Sequence, residues 1–272
     1  VVYRPREGSG RLGCGPGQTA ISRVGRFRLN PGMQVPSPTP LAVTSRPLSR
    51  ARSVITDVVG LAHSIPLFPV DRVMPLADLA AARPAAAVRI SWAAVFLKAY
   101  ANVAADSPPL RSWCIRGLLP GLAPRLATAS QSVASVAINR TDSGEDELYF
   151  ARLPHPESRS LPDIQQFLDR CVSGPIDEVF RRQRQLESLP SLLRRTVLWC
   201  NINSASPKRC TRIGTFSLST LAGFGASNHG HPTICTTSLS YTPLETDGRC
   251  RVTLICDHRV LDGATAARAL ES

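Results

Sequence analysis

Lysine is almost missing from this chain. Lys98 and Lys208 are the only two among 272 residues, so the net charge of +12 is nearly all arginine, as a GC-rich coding sequence would produce. Residues 1–52 hold nine of those arginines against one glutamate, a local charge of +8 that leaves +4 for the other 220 residues. The basic character belongs to the N-terminal stretch, which argues against nucleic acid as the folded part's partner. Long apolar runs are also missing. The richest segment, ISWAAVFLKAYANVAA, is short and carries Lys98, below the length of about 18 residues that a membrane span needs. The N-terminus begins with Val1 and lacks the apolar core of a secretory signal. The eight cysteines form no C-x-x-C pair, so neither a zinc site nor a redox motif is indicated, and a chain this long needs no disulfide scaffold. They read as reduced, mostly buried thiols of a cytoplasmic protein. His63, His155, His229 and His231 lack partners at metal-ligand spacing, and His229-x-His231, in a glycine-rich loop, reads as solvated. No metal is expected.

Residues 1–44, with GSGRLGCGPGQ and NPGMQVPSPTP, cannot hold a helix or a central strand and read as a disordered basic extension. Gly8-x-Gly10-x-x-Gly13 matches a dinucleotide fingerprint in form only, because no strand precedes it and no helix follows. Residues 45–272 read as folded. Val54, Val58 and Leu61 recur at helical spacing, LFPVDRVMP reads as a strand, and PLADLAAAR as a short helix. Ser91 is placed to cap a helix from Trp92 to about Ala104. SQSVASVAINRT and DELYFARLP flank DSGED as a hairpin. Helices are expected over about 161–173, 175–188 and 189–201. Strands follow in GTFSLSTL, PTICTTSLSYTPL and CRVTLICD, the last two joined by a turn at Asp247–Gly248. Without a regular βαβ rhythm or an internal repeat, this order favours an α/β sandwich over a doubly wound parallel sheet.

The stretch LICDHRVLDGATAARAL carries the chemistry. A strand ending at this point delivers His258 to its tip, and histidine is the side chain whose pKa best suits proton abstraction near neutrality. Asp262 stands four residues on, where it would cap the helix GATAARAL. Spacing alone is equally compatible with a surface turn and a capped helix. Asp257 and Arg259 flank the histidine and read as an ion pair orienting the loop.

DHRVLDGATAARAL resembles the C-terminal signature of the acyltransferase component of 2-oxoacid dehydrogenase complexes, whose H-x-x-x-D-G core is shared with chloramphenicol acetyltransferase. GTFSLSTLAGFGA, SIPLFPVDRVMPLADL and RISWAAVFLKAYANVAADSPPLRSW resemble further segments of that family, in family order, from about residue 45 to the end. The resemblance implies a chloramphenicol acetyltransferase-like two-layer sandwich, a mixed sheet with flanking helices. It also implies a CoA-dependent acyltransferase moving an acyl group between a thioester and a thiol or other acceptor. His258 would be the general base, Ser219 the donor to the tetrahedral oxyanion, and Asp262 a residue ordering the site. Ser219 without the resemblance is an ordinary serine of an alternating strand. CoA-contacting residues are not identified. The family's pocket lies between subunits, which implies a homotrimer. Three departures stand out: no lipoyl domain is recognisable, residues 181–213 are unlike complex-forming members, and the chain stops fourteen residues after His258, as a truncated helix would. They keep a second reading open, a non-catalytic oligomerising module of the same fold. A third is a basic tail that binds an acidic partner.

Overall fold

The computed structural model describes residues 43–116 and 123–272. The expected disordered extension, except its last two residues, and the glycine run at 8–13 lie outside the described residues. Leu48–Ser272 belong to one compact unit.

Helix α1 (Arg50–Ala62) begins at Ser49, whose side chain accepts from the Arg52 N–H. Strand β1 (Leu67–Pro75) and helix α2 (Ala77–Ala82) follow, then α3 (Trp92–Asp106), capped by Ser91 as its sequence implies. Two short strands, β2 (Ser112–Ile115) and β3 (Arg125–Thr128), pair only with each other. The hairpin of β4 (Val133–Asp142) and β5 (Glu145–Pro154) turns at Ser143–Gly144, both at positive φ, the geometry that suits a tight two-residue turn. Next come α4 (Leu161–Ser173), α5 (Ile176–Val179), α6 (Arg181–Glu187), α7 (Ser191–Ile202) and α8 (Pro207–Ile213). Strands β6 (Phe216–Leu218), β7 (Thr237–Tyr241) and β8 (Arg249–Asp257) precede the last helix, α9 (Gly263–Glu271).

Six strands form one mixed sheet in the order β1-β8-β7-β6-β4-β5. β6 runs parallel to both β4 and β7, and the other pairs are antiparallel. The expected α/β sandwich of a mixed sheet with flanking helices is what forms. Phe216 and Leu218 of β6, Val136 and Ile138 of β4, and Leu254 of β8 point to one face. There they pack with α3, α4 and α9 residues such as Leu97, Leu168 and Ala266 into a single apolar core. Gly214 makes the entry to β6 possible. Its φ is +103°, and a Cβ there would stand 2.9 Å from the Ser135 Cβ on the neighbouring strand. Among the described residues no helix is long and apolar enough to cross a membrane. Six of the seven described cysteines are buried, Cys200 is exposed, and none is paired.

Two expectations change in detail. The helix expected over 175–188 is broken at Phe180, a buried residue out of helical geometry, into α5 and α6. Helix α8 and strands β2 and β3 were not indicated by the sequence, because four to seven residues are too few to show a period.

Candidate active site

Strand β8 is apolar and buried along most of its length, and it ends at Asp257. The chain then turns under tight control. Asp257 is 3% exposed, and its carboxylate accepts from the Arg259 backbone N–H at 3.0 Å and from the Arg259 guanidinium at 2.6–3.2 Å. The Asp257 carbonyl accepts from the N–H groups of Val260 and Leu261. This is the loop-orienting ion pair expected of these two residues. It leaves His258 exposed at the strand tip, its backbone N–H bonded to the Pro66 carbonyl at 2.9 Å and its ring 4.5 Å from that of Phe68.

Asp262 is the N-cap of α9 and accepts from the Thr265 N–H at 2.7 Å. That bond holds its carboxyl below the usual range, and the Arg268 guanidinium acts in the same direction. The sequence reading of Asp262 as a cap is what the structure shows.

Ser219 follows β6. Its N–H donates to Leu239 O at 3.0 Å, continuing the β6–β7 pairing and setting Ser219 level with Ser240 and Thr253. His258 lies five residues past Thr253 along the same chain. At about 3.4 Å per residue, the two are roughly 17 Å apart along the strands, apart from the lateral step across β7. Within one chain His258 therefore does not face Ser219. The cause is register: Ser219 is level with the middle of β8, while His258 lies just past that strand's end.

Ser219 instead lines a cavity of about 730 Å³ on the second face of the sheet, opposite the core. The cavity is roofed by α1 and α6–α8, and the loop after Ser219 closes one side. His231 sits in this wall, which corrects its reading as solvated. Its Nε2 is 2.7 Å from Ser238 Oγ and its Nδ1 is 3.1 Å from Asn228 Nδ2. Asn228 Oδ1 already accepts from the Gly230 N–H, so its amide NH₂ faces the ring and donates to Nδ1. The ring proton then lies on Nε2 and points to Ser238. Burial pushes the His231 pKa down to about 4, so the ring is neutral near pH 7. Ser217 Oγ also donates to Ser238 Oγ, at 2.7 Å. This polar cluster was missed from sequence because no spacing rule links positions 217, 228, 231 and 238. Ser217 and Ser238 alone read as ordinary strand serines, and Asn228 and His231 as loop residues. His229 is exposed. Cys235 is in the same wall, and burial raises its thiol above the usual range, so it is no thiolate nucleophile.

Beside the His258 turn, Arg116, Arg125, Arg259 and Cys114 line a smaller cavity of about 290 Å³. Among the described residues, no group of three or more His, Cys, Asp or Glu is placed to hold a metal ion.

Solved structures share this architecture. A truncated catalytic core of the 2-oxoacid dehydrogenase multienzyme complex from Thermoplasma acidophilum is 16% identical with a TM-score of 0.59, over 85% of this chain and 95% of that one. The chain has the fold of these catalytic cores. The cubic core of the pyruvate dehydrogenase multienzyme complex matches at 17% identity and a TM-score of 0.57, over 87% and 94% of the two chains. The dihydrolipoamide acetyltransferase of Azotobacter vinelandii matches at 18% and 0.56, over 87% and 94%. In that enzyme a serine, a histidine and an asparagine four residues after the histidine have been studied for their part in the catalytic mechanism. No family model and no curated protein sequence matches the chain.

Proposed function

We propose that this protein is an acyltransferase that exchanges an acyl group between a thioester and the thiol of CoA, and that its site forms between protomers of a homotrimer. The observation that carries the reading is the position of the two residues on this fold. His258 stands exposed just past the end of β8 with an acid four residues on, and Ser219 lines a cavity level with the middle of that strand, roughly 17 Å away along it. A heterologous ring brings one surface of a subunit against a different surface of the next. The base and the serine then meet only across an interface.

In the step proposed, an imidazole nitrogen of His258 takes the proton of the attacking thiol, and the sulfur bonds to the carbonyl carbon. The carbonyl oxygen becomes an oxyanion that accepts from Ser219 Oγ–H of the adjoining protomer. Collapse expels the second thiolate, and the imidazolium returns the proton to it. A thiol near pKa 8.5 is mostly protonated at neutrality, so a positioned base raises the reactive fraction. Asp262 holds the start of α9 and the turn that carries His258. Arg116 and Arg125, beside that turn, supply the cationic donors that a phosphorylated carrier such as CoA requires. Unpaired cysteines fit a reducing compartment, the cytoplasm.

The test is thiol release and acyl transfer from acyl-CoA to a small thiol acceptor. Replacing Ser219 by Ala is expected to lower kcat by about 10²–10³-fold, the effect of losing one oxyanion donor. A Ser219→Ala variant with wild-type kcat would remove the serine from the mechanism.

A further inference from the structure

The cavity next to Ser219 is larger than an acetyl group requires. At about 730 Å³ it falls in the range of pockets for drug-sized ligands. Its roof is apolar, with Val54, Ile55 and Val58 of α1, Leu186 of α6 and Leu198 of α7. Its floor is different. The strand register sets Arg152 of β5 beside Ser135 of β4, Ser135 beside Ser217 of β6, and Ser217 beside Ser238 of β7. One row across the sheet thus carries a guanidinium and then three hydroxyls, with His231 closing the far end.

Arg152 is the unusual member. Its Nε donates to Arg212 O at 3.1 Å and its Nη1 reaches Ala151 O only at 3.4 Å. Among the described residues no carboxylate lies within ion-pair distance of it, and Arg182 and Arg209 add further positive charge nearby. Burial lowers its pKa to about 10, which leaves it charged at neutral pH. Arg152 is half-buried, with its guanidinium over the Phe150 ring, and its free N–H donors at the cavity edge favour an anionic oxygen pair. Strands about 4.8 Å apart set the Arg152 and Ser219 backbones roughly 12 Å from each other. A chain of several methylenes spans that gap once the arginine reaches inward.

We propose that this cavity receives the acyl group of the substrate, an apolar chain of medium length whose far end is a carboxylate held by Arg152. The inference rests on the acyl-transfer reading and names its substrate class. Ser219 lies at the thioester end and Arg152 at the carboxylate end. Arg152 is a specificity residue and takes no part in the proton transfers.

The experiment compares kcat/KM for octanedioyl-CoA, octanoyl-CoA and acetyl-CoA, alongside calorimetric binding of free octanedioate. Wild type is expected to favour octanedioyl over octanoyl by about tenfold, since a site built to bind a polar group disfavours the analogue that lacks it. Arg152→Met should bring that ratio to about one and abolish octanedioate binding. Ile55→Trp, which fills the roof without touching the charge, should weaken octanedioate binding too, and serves if the Arg152 variant does not fold. Equal use of octanedioyl and octanoyl by the wild type overturns the proposal, as does a ratio unmoved by Arg152→Met. If none of the three thioesters turns over, the acyl-transfer reading fails. Octanedioate binding lost in Arg152→Met then still supports the cavity assignment, and absence of binding to the wild type overturns it.

Discussion

His258→Ala is expected to lower acyl transfer by about 10³-fold, within the range for removal of a general base, with the fold intact. The two halves of this expectation have separate grounds. The imidazole is exposed, and its side chain packs against the Phe68 ring. The turn that carries it is held by other atoms: the Asp257 carboxylate, the Arg259 guanidinium and the bond from the His258 N–H to Pro66 O. All of these survive the substitution, so the stability change should stay within about 0.5 kcal/mol, as at other surface positions. Circular dichroism and a thermal melt check the fold, and a CoA-release assay reads the rate. A loss of activity that tracks a loss of folded protein would contradict the assignment.

Arg194→Met is expected to destabilise the protein by about 3–5 kcal/mol, the cost of leaving a buried carboxylate without its partner. The Arg194 Nε lies 2.7 Å from Asp57 Oδ2, and the two side chains are only 6% and 9% exposed. This pair ties α7 to α1. Arg195 is 3.7 Å from the same carboxylate but is 61% exposed, so solvent screens it and it replaces little. Because the same two helices roof the cavity with Val54, Val58 and Leu198, the variant should also loosen that wall. The double variant Asp57→Leu with Arg194→Met removes both charges and should recover most of the loss. Urea titration of the two variants measures the difference. Equal destabilisation of the single and the double variant would show that packing, rather than the uncompensated charge, sets the cost.

The helices and strands with strong local signals were legible in the sequence. LFPVDRVMP is β1 to the residue, Ser91 caps α3, and Asp262 caps α9. The strand order was not, because the β1–β8 and β4–β6 pairings join segments more than 70 residues apart that no local pattern links. The candidate residues fared in the same way. His258 and Asp262 belong to one short motif and were visible together. The distance between His258 and Ser219 depends on register across three strands, which no local pattern shows. The cavity was the least legible feature. Arg152, Ser135, Ser217 and His231 come from three strands and a loop, and each taken alone looks like an ordinary surface or strand residue.

Complementation between two inactive chains tests the intersubunit site most directly. His258→Ala chains keep the serine and Ser219→Ala chains keep the base. Co-expressed with different tags and purified as mixed trimers, they should regain about a third of wild-type activity, because one of the three interfaces in every ring that holds both chains pairs an intact base with an intact serine. Activity no higher than the sum of the two separate variants would contradict a site shared between protomers.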